Sequence, residues 1–547
     1  LNAADPIVMW LIVVLTVIAT LFAGWRAWRR LRYFLHIFQL EGYKPDEYLS
    51  WVWERRSHVL FRLSHRLAIA ELILVIIGMA YWSPFWTAVI ALPLWAITFA
   101  SSRIYRNERQ KKPLRYTNRL KRLLATAAAL ATVVVLAGFI MWMSGGLPWL
   151  GWFLGGFLAA DFLAPFWVYL AAHLMAPVER SIQSGFKRRA RMRLAERPDL
   201  TIVSITGSYG KTSTKFIVAE ILRQRFNVLA SPSSYNTPMG LCIVINEMLQ
   251  PEHQVLVLEM GVRHPGDMAE LCSIARPDIG VVTTIGIAHL ETMGSMELIA
   301  QEKGTMIEQL KPNGIAVLNI DDEHVSRMAD RAPGKVWTVS VHGREGADIV
   351  AGSVRYGREG AQFDVRDDTG DVRSFKTKLL GEHNVSNILL GVAVGRALGL
   401  RLRQIAHAVE RLEPIEHRLQ LREEGPITVI DDAFNSNPVG ARNAVEILGQ
   451  FREGRRIIVT PGMIELGERQ EEENRAFGEH IADHVDLAVL VGARQTAPIL
   501  EGLRARNFPE DRVRVVDSLW DAQSFLKTYL KPGDVVLYEN DLPDQYG

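Results

Sequence analysis

Lys211 stands behind two glycines and ahead of two hydroxyl residues in the run Thr206-Gly-Ser-Tyr-Gly-Lys-Thr-Ser-Thr214. The grouping suits phosphate chemistry. Gly207, Ser208 and Gly210 let backbone N–H groups face an anion, Lys211 reaches the β and γ oxygens of a nucleotide, and the Thr212 hydroxyl, with Ser213 beside it, lies where Mg²⁺ is held. The loop is shorter than the common G-x-x-x-x-G-K-[ST] form, whose first glycine would fall at Ile205. Such a loop works only between a strand and a helix, and both are legible: the β-branched run Thr201 to Ile205 precedes it and an apolar-periodic stretch follows. ATP and Mg²⁺ are therefore the expected cofactors.

The elements that must position this loop extend on both sides of it. Downstream, short apolar runs at Gln254 to Leu258, Ile279 to Ile285 and Gly314 to Asn319 alternate with helix-length amphipathic segments. That alternation predicts a parallel sheet covered on both faces. Asp348 to Lys378 alternates like antiparallel strands, as an insertion or edge hairpin would. A second series, at Ile427 to Ile430, Arg456 to Thr460, Leu487 to Val491, Arg512 to Val516 and Asp534 to Tyr538, predicts another α/β domain beginning near Glu413 and Pro414.

Upstream, the chain reads as membrane. Apolar stretches run from Ile7 to Trp25, Leu67 to Trp82, Pro84 to Ala100, Leu123 to Met143 and Leu147 to Met175. Each is near or above the roughly 17 to 20 residues a helix needs to cross the hydrocarbon core, so about five spans are expected, with four as the alternative. Basic residues follow the first, third and fifth stretches, whereas the turns around Ser83 and Ser144 carry none. The positive-inside rule then places the amino terminus outside and everything beyond Met175 in the cytoplasm of a bacterial inner membrane. Glu71 and Asp161 lie inside apolar stretches, where a lone charge costs about 2.5 to 3.5 kcal/mol. A lipid head group, a partner such as His173 or a protonated carboxyl near a span end is expected to accommodate them. The aromatic and basic segment Arg26 to Arg66 suits interfacial helices.

The expected fold class is an N-terminal α-helical membrane domain (1–176), a basic linker (177–200), a P-loop parallel-sheet ATPase domain (201–413) and a C-terminal Rossmann-like α/β domain (414–547). A net charge of +2 gives no reason to expect a nucleic-acid partner, and the bilayer is the partner the apolar half implies. Cys242 and Cys272 are the only cysteines and form no C-x-x-C pair, which argues against a disulfide framework or a cysteine metal site.

Several further segments, in order, resemble the Mur ligase family, the ATP-dependent amide-forming enzymes of cell-wall precursor synthesis, and most closely its branch that adds D-alanyl-D-alanine. The resemblance covers Thr201 to about Val536, and the shortened glycine loop is the family's normal form. It implies that Asn236 and Thr237, in Asn236-Thr-Pro-Met-Gly240, line the substrate cleft beside the γ-phosphate. Glu259, in Leu258-Glu-Met-Gly261, becomes a Mg²⁺ ligand, which is apt for a hard cation shared with phosphate oxygens. His289, in Ile287-Ala-His-Leu290, resembles the family's second-magnesium histidine. Lys303, in Gln301-Glu-Lys-Gly304, aligns with a lysine carbamylated in much of the family, a change that turns an ammonium into an anionic oxygen ligand.

The same resemblance places Asn319, His383, Asn384 and Asn387 near the nucleotide. It sends Arg418 to ATP, although the family's preceding glycine is His417 here. Asp431, in Asp431-Asp-Ala-Phe-Asn-Ser-Asn-Pro438, would touch the ribose, Asn435 and Asn437 would shape the reacting cleft, and Glu465 would lie in a loop near the substrate. Lys211, His289 and Lys303 are then the catalytic residues, and Thr212, Glu259, His289 and a carbamylated Lys303 are the metal set.

Two departures stand out. Membrane spans occupy the position of the family's UDP-gripping domain, and Glu539, Asp541 and Asp544 replace a basic segment after the last strand, which would favour a cationic or neutral acceptor. The expectation is a membrane-embedded ligase that activates a carboxylate of a cell-envelope precursor, lipid-linked, as an acyl phosphate and joins it to a small amine or amino acid. The two soluble domains are expected to close over ATP about a hinge near Glu413. Alternatives are the addition of D-alanyl-D-alanine to UDP-N-acetylmuramoyl-tripeptide with the spans as a mere anchor, a poly-γ-glutamate synthase-like polymer ligase, and a P-loop transport ATPase, which the absence of a recognisable Walker-B run disfavours.

Overall fold

The computed structural model describes residues 6–60, 62–101, 113–232, 235–288, 290–357, 360–433, 436–464 and 466–540. The chain divides into two compact units, residues 1–183 and 184–547.

The first unit is helical. Among the described residues, Trp10–Leu40, Leu63–Tyr81 and Asn118–Gly145 are long and apolar enough to cross a membrane, and a fourth crossing results if the bent pair Leu147–Phe162 and Ala164–Ala195 counts as one. The four-span alternative is therefore reached only with the bent pair, and five such helices are not found among the described residues. Pro84–Ala100 is a shorter apolar helix, and the run from Leu147 to Met175 is interrupted by a 70° bend. The cause of the bend is local: Pro165 sits in the first turn of the helix Ala164–Ala195, where its missing N–H is tolerated, but it cannot continue a ladder from the helix Leu150–Phe162. The segment after Trp25 continues the first helix to Leu40, and shorter helices Pro45–Glu54 and Arg56–Val59 follow. Large apolar side chains such as Trp10, Leu21, Leu74 and Ile140 stay exposed along these helices, as they would if facing lipid.

Asp161 does not pair with His173. It is fully buried between Arg26, whose Nη2 lies 3.1 Å from Oδ2, and His65, whose Nε2 lies 2.9 Å from the same oxygen; Arg30 donates to the Asp161 carbonyl at 2.9 Å. His173 instead turns Nδ1 to the Tyr169 carbonyl at 3.0 Å. Glu71 accepts a hydrogen bond from Thr98 on the next helix. Both acidic residues thus find protein partners on neighbouring helices.

The second unit carries two sheets. The first holds β1 (Thr201–Thr206), β2 (Val228–Ala230), β3 (Val255–Glu259), β4 (Ile279–Val282), β5 (Ile315–Asn319), β6 (Val336–Ser340), β7 (Ile349–Gly357), β8 (Gly360–Arg366) and β9 (Val372–Thr377), in the order β2-β3-β1-β4-β5-β6-β7-β8-β9. Pairing is parallel from β2 to β7, and β7, β8 and β9 form the antiparallel edge that the alternation between Asp348 and Lys378 predicts. Alternate residues of one strand serve the two faces. Val203 and Ile205 pack with Ile217, Ile221 and Leu389 on one side, and Ile202 joins Leu256, Leu258, Ile299 and Met306 on the other.

The second sheet runs β10-β11-β15-β12-β13-β14, with β10 (Gln420–Glu424) antiparallel to β11 (Ile427–Asp432), and β12 (Arg456–Thr460), β13 (Leu487–Val491), β14 (Val513–Val516) and β15 (Val535–Glu539) parallel. Glu413 and Pro414 fall in the connection between the helix Leu402–Glu410 and β10. The basic stretch read as a linker is helical to Ala195. Within the second unit it is also tied down, since Arg193 donates to the carbonyls of Asn246 and Leu249 and Arg197 reaches the His253 carbonyl at 2.7 Å.

Candidate active site

β1 delivers its last residue into the glycine loop, and two backbone conformations make the loop possible. Gly207 has φ +147° and Gly210 has φ +79°; a Cβ on Gly210 would lie 2.6 Å from Asn387 Oδ1. Only glycine meets both demands without strain. Ser208 fixes the loop from beneath: its N–H donates to the Thr284 carbonyl at 2.7 Å, and its hydroxyl donates to the Gly286 carbonyl and accepts from the Gly286 N–H at 2.9 Å each. Lys211 begins the helix Lys211–Leu222 and folds its Nζ back onto the carbonyls of Gly207 at 2.8 Å and Ser208 at 3.1 Å.

β3, next to β1, carries Glu259 at its C-terminal end, 3 % exposed. Oε2 accepts from the Thr212 hydroxyl at 3.0 Å and from Lys215 Nζ at 3.1 Å, and Oε1 accepts from Asn236 Nδ2 at 3.2 Å. Burial acts to raise the carboxyl's pKa, but Lys215, Lys211 and the hydrogen bonds outweigh it and hold Glu259 below the ordinary carboxylate range. An ionised carboxylate beside a hydroxyl is the hard oxygen donor set that Mg²⁺ takes together with phosphate oxygens. The glycine cradle and this donor set fit ATP and Mg²⁺.

Lys303 projects from the helix Met296–Glu308 and is 2 % exposed. Burial, reinforced by the charge of Lys211 and only partly opposed by Glu302, pulls its ammonium down to about 7. A buried lysine with a neutral amine at physiological pH is the form that can combine with CO₂, so its chemistry suits the carbamate the resemblance implies. Asn319 ends β5, and its Oδ1 accepts from the Asp321 N–H at 3.1 Å. Asn387 Oδ1 accepts from Thr214 at 3.0 Å, and its Nδ2 donates to Asn384 at 3.3 Å, tying the helix Glu382–Ala397 to the loop helix. Burial, with help from Arg418, lowers His383 to about 4 and leaves it a neutral imidazole.

Arg418 bridges the two sheets electrostatically. Burial lowers its pKa, and the nearby charges of Asp432 and Glu259 oppose that shift. It is held between two residues in the left-handed region, His417 at φ +60° and Leu419 at φ +47°. Each costs about 1 kcal/mol or more without glycine. The backbone is secured by partners: His417 Nδ1 contacts Asp431 Oδ2 at 2.8 Å, and the Leu419 N–H donates to Asp432 Oδ1 at 3.1 Å. Asp431, expected at the ribose, is buried and engaged by His417 and Arg422.

Two residues expected in the substrate cleft cap helices. The Thr237 hydroxyl accepts from the Gly240 N–H at 3.2 Å, and Asn437 Oδ1 accepts from the Gly440 N–H at 2.9 Å, each capping the helix that follows. Asn236 donates to Glu259. His289, Asn435, Glu465, Asp541 and Asp544 lie outside the described residues. Glu539 is not poised on the surface. It pairs with Asp432 at the adjacent ends of β15 and β11, and Ser436 donates to its Oε1 at 2.6 Å. Burial raises both carboxyls, Asp432 to about 6 with the charge of Asp431 adding to it, and Glu539 well above the ordinary range with the charge of Asp432 adding to it; hydrogen-bonded to each other, the two share a proton.

Lys215 and Tyr209 were not anticipated. Lys215 follows Lys211 by one helical turn, which is the signal that would have found it. Tyr209, pushed up to about 12 by burial, sits within the electrostatic reach of Glu473 and Arg469 of the second sheet's layer, so the glycine loop and that layer are close. Ile287, Leu290 and Leu380 join the core of that layer and form an apolar seam between the two sheets' layers.

Comparison with known proteins identifies both α/β domains of the second unit. The Mur ligase middle domain matches residues 205–395, and the Mur ligase glutamate ligase domain matches residues 417–538. A UDP-N-acetylmuramoyl-tripeptide--D-alanyl-D-alanine ligase from Mycobacterium leprae is 33% identical over 371 residues, 62% of this chain and 70% of that protein. The crystal structure of MurF from Acinetobacter baumannii superposes with a TM-score of 0.60 at 25% identity, covering 66% of this chain and 78% of that one. MurF from Thermotoga maritima in complex with ADP gives 0.59 at 28% identity, covering 66% and 80%.

Proposed function

The chain belongs to the Mur ligase family and is an ATP-dependent, Mg²⁺-using peptide ligase, and from that premise we propose that it adds a D-alanyl-D-alanine-type dipeptide to a muramoyl-tripeptide precursor. The single observation that carries the proposal is the similarity to ligases of that named activity across both matched domains, where Lys211, Thr212, Glu259, Lys303 and Arg418 gather around one glycine loop.

In this reading a precursor carboxylate oxygen attacks the γ-phosphorus of ATP and ADP leaves, giving an acyl phosphate. The acceptor amine then forms the C–N bond as phosphate departs. Lys211, released from the Gly207 and Ser208 carbonyls, turns to the transferring phosphoryl group, and Arg418 supplies a second cation from the other domain. Thr212 and Glu259 would hold Mg²⁺, which would offset charge on the phosphate oxygens. In-line transfer of this kind depends on placement and electrostatics more than on covalent help from the protein. Packing of Ile287, Leu290 and Leu380 against the second domain keeps water from the acyl phosphate.

A second reading concerns the donor. The helical unit lies outside both matched domains and contains three to four membrane-length helices. It favours a multi-pass location in a bacterial inner membrane and a donor delivered on a lipid rather than on UDP.

The test is mass detection of the amide product, with ADP release, from the full chain in detergent, using UDP-muramoyl-tripeptide and D-alanyl-D-alanine, with Lys211→Ala as the blank. A product of the expected mass supports the first reading. Nucleotide binding without product from the UDP-linked donor sinks it, and the lipid-linked tripeptide is then the donor to supply.

A further inference from the structure

The carboxylate of Glu259 has four acceptor directions, two on each oxygen. Thr212 and Lys215 both approach Oε2, at 3.0 Å and 3.1 Å, while Oε1 has Asn236 at 3.2 Å. The two oxygens are therefore unequal. Oε2 already accepts twice, and Oε1 retains one direction.

We propose that Lys215 is a positioning residue of the metal site: together with the Thr212 hydroxyl it saturates Oε2 of Glu259, so that Oε1 is the one oxygen offered to Mg²⁺. The same arrangement settles Thr212. Its only proton is committed to Glu259, which leaves the hydroxyl lone pairs for the cation. Lys215 can act in this way because of its place on the helix. One turn beyond Lys211 on the same face, it turns its Nζ to Glu259 Oε2 and is 0 % exposed. A buried ammonium needs a carboxylate held in fixed geometry, and Glu259 at the end of β3 is such a partner. The Ser231 hydroxyl, accepting the Glu259 N–H at 3.3 Å, steadies the backbone behind it. Second-sphere contacts of this type orient a ligand and set metal affinity without touching the metal. The inference is independent of which carboxylate the enzyme activates.

Full-length Lys215→Met and Lys215→Gln, purified in detergent, test it by Mn²⁺ binding measured by EPR in the presence of a non-hydrolysable ATP analogue. Nucleotide binding in EDTA and thermal unfolding are measured alongside. The expected result is a roughly 10- to 100-fold loss of Mn²⁺ affinity in Lys215→Met, a smaller loss in Lys215→Gln, which keeps a donor, and unchanged metal-free nucleotide binding. A purely structural ion pair would lower the melting temperature and leave Mn²⁺ affinity as it was; that result, or an equal loss of nucleotide binding in EDTA, overturns the proposal. The wild-type chain gives a check that needs no variant to fold. With Mn²⁺ and the analogue bound, its crystal structure must show Oε1 alone on the metal and Lys215 still on Oε2, and a bidentate Glu259 overturns the proposal as surely.

Discussion

At the scale of single residues, the site combines groups whose charge states are set by neighbours. Lys303 is the clearest case. With its ammonium lowered to about 7, the neutral amine predominates above that pH and is lost as pH falls through it. Lys303→Ala should therefore lower turnover by on the order of 10²-fold, the scale of removing one electrostatic contributor to a phosphoryl-transfer site. Formate or acetate should restore part of it by supplying an anionic oxygen. A fully active Lys303→Ala without additive would remove the carbamate from the mechanism. The Asp432 and Glu539 pair behaves in the opposite sense. A carboxyl raised to about 6 stabilises the fold below its unfolded value, about 3.9, and loses that contribution as pH rises through 6. The gain in melting temperature of Asp432→Asn over wild type should accordingly grow between about pH 4 and pH 6; a constant difference would mean that the two carboxyls do not share a proton.

At the scale of elements, what matters is where strands and helices end. Gly210 is required by the junction of loop and helix, because a side chain there meets Asn387 of the helix Glu382–Ala397 and a positive φ as well. Gly210→Ala should weaken ATP binding in calorimetry by about tenfold or more, from a left-handed penalty of about 1 to 2 kcal/mol plus displacement of Asn387. Unaltered binding would show that the loop has room the structure does not display. In the helical unit the end of Leu150–Phe162 carries Asp161 into the midst of Arg26, Arg30 and His65. Asp161→Asn leaves two guanidiniums without their carboxylate, and about 3 to 5 kcal/mol of stability should go with it, read as a lower detergent melting temperature. A melting temperature equal to wild type would make the cluster dispensable.

At the scale of the whole molecule, a helical unit with three to four membrane-length helices accompanies an α/β unit of Mur ligase type. The full chain should stay with the membrane pellet after an alkaline carbonate wash and leave it only in detergent. Its appearance in the carbonate supernatant would remove the membrane from the account.

Local chemistry was legible in the sequence because it lies in short, contiguous runs. The glycine loop, the parallel strands around it, the antiparallel edge after Asp348 and the acidic end of β3 each follow from neighbours a few residues apart, where propensity and periodicity act directly. Pairings across long separations were not legible in that way. Asp161 meets Arg26 over 135 residues and Glu539 meets Ser436 over 103, and no periodicity links such partners. The capping contacts of Thr237 and Asn437 depend on the helices that follow them. The number of spans, too, depended on a bend at Pro165 that hydropathy averages over. The sequence determined the enzyme class and the glycine loop between strand and helix; only the tertiary structure decided which buried charges face one another, because a buried charge is stable only with its partner and the partner is chosen by the fold.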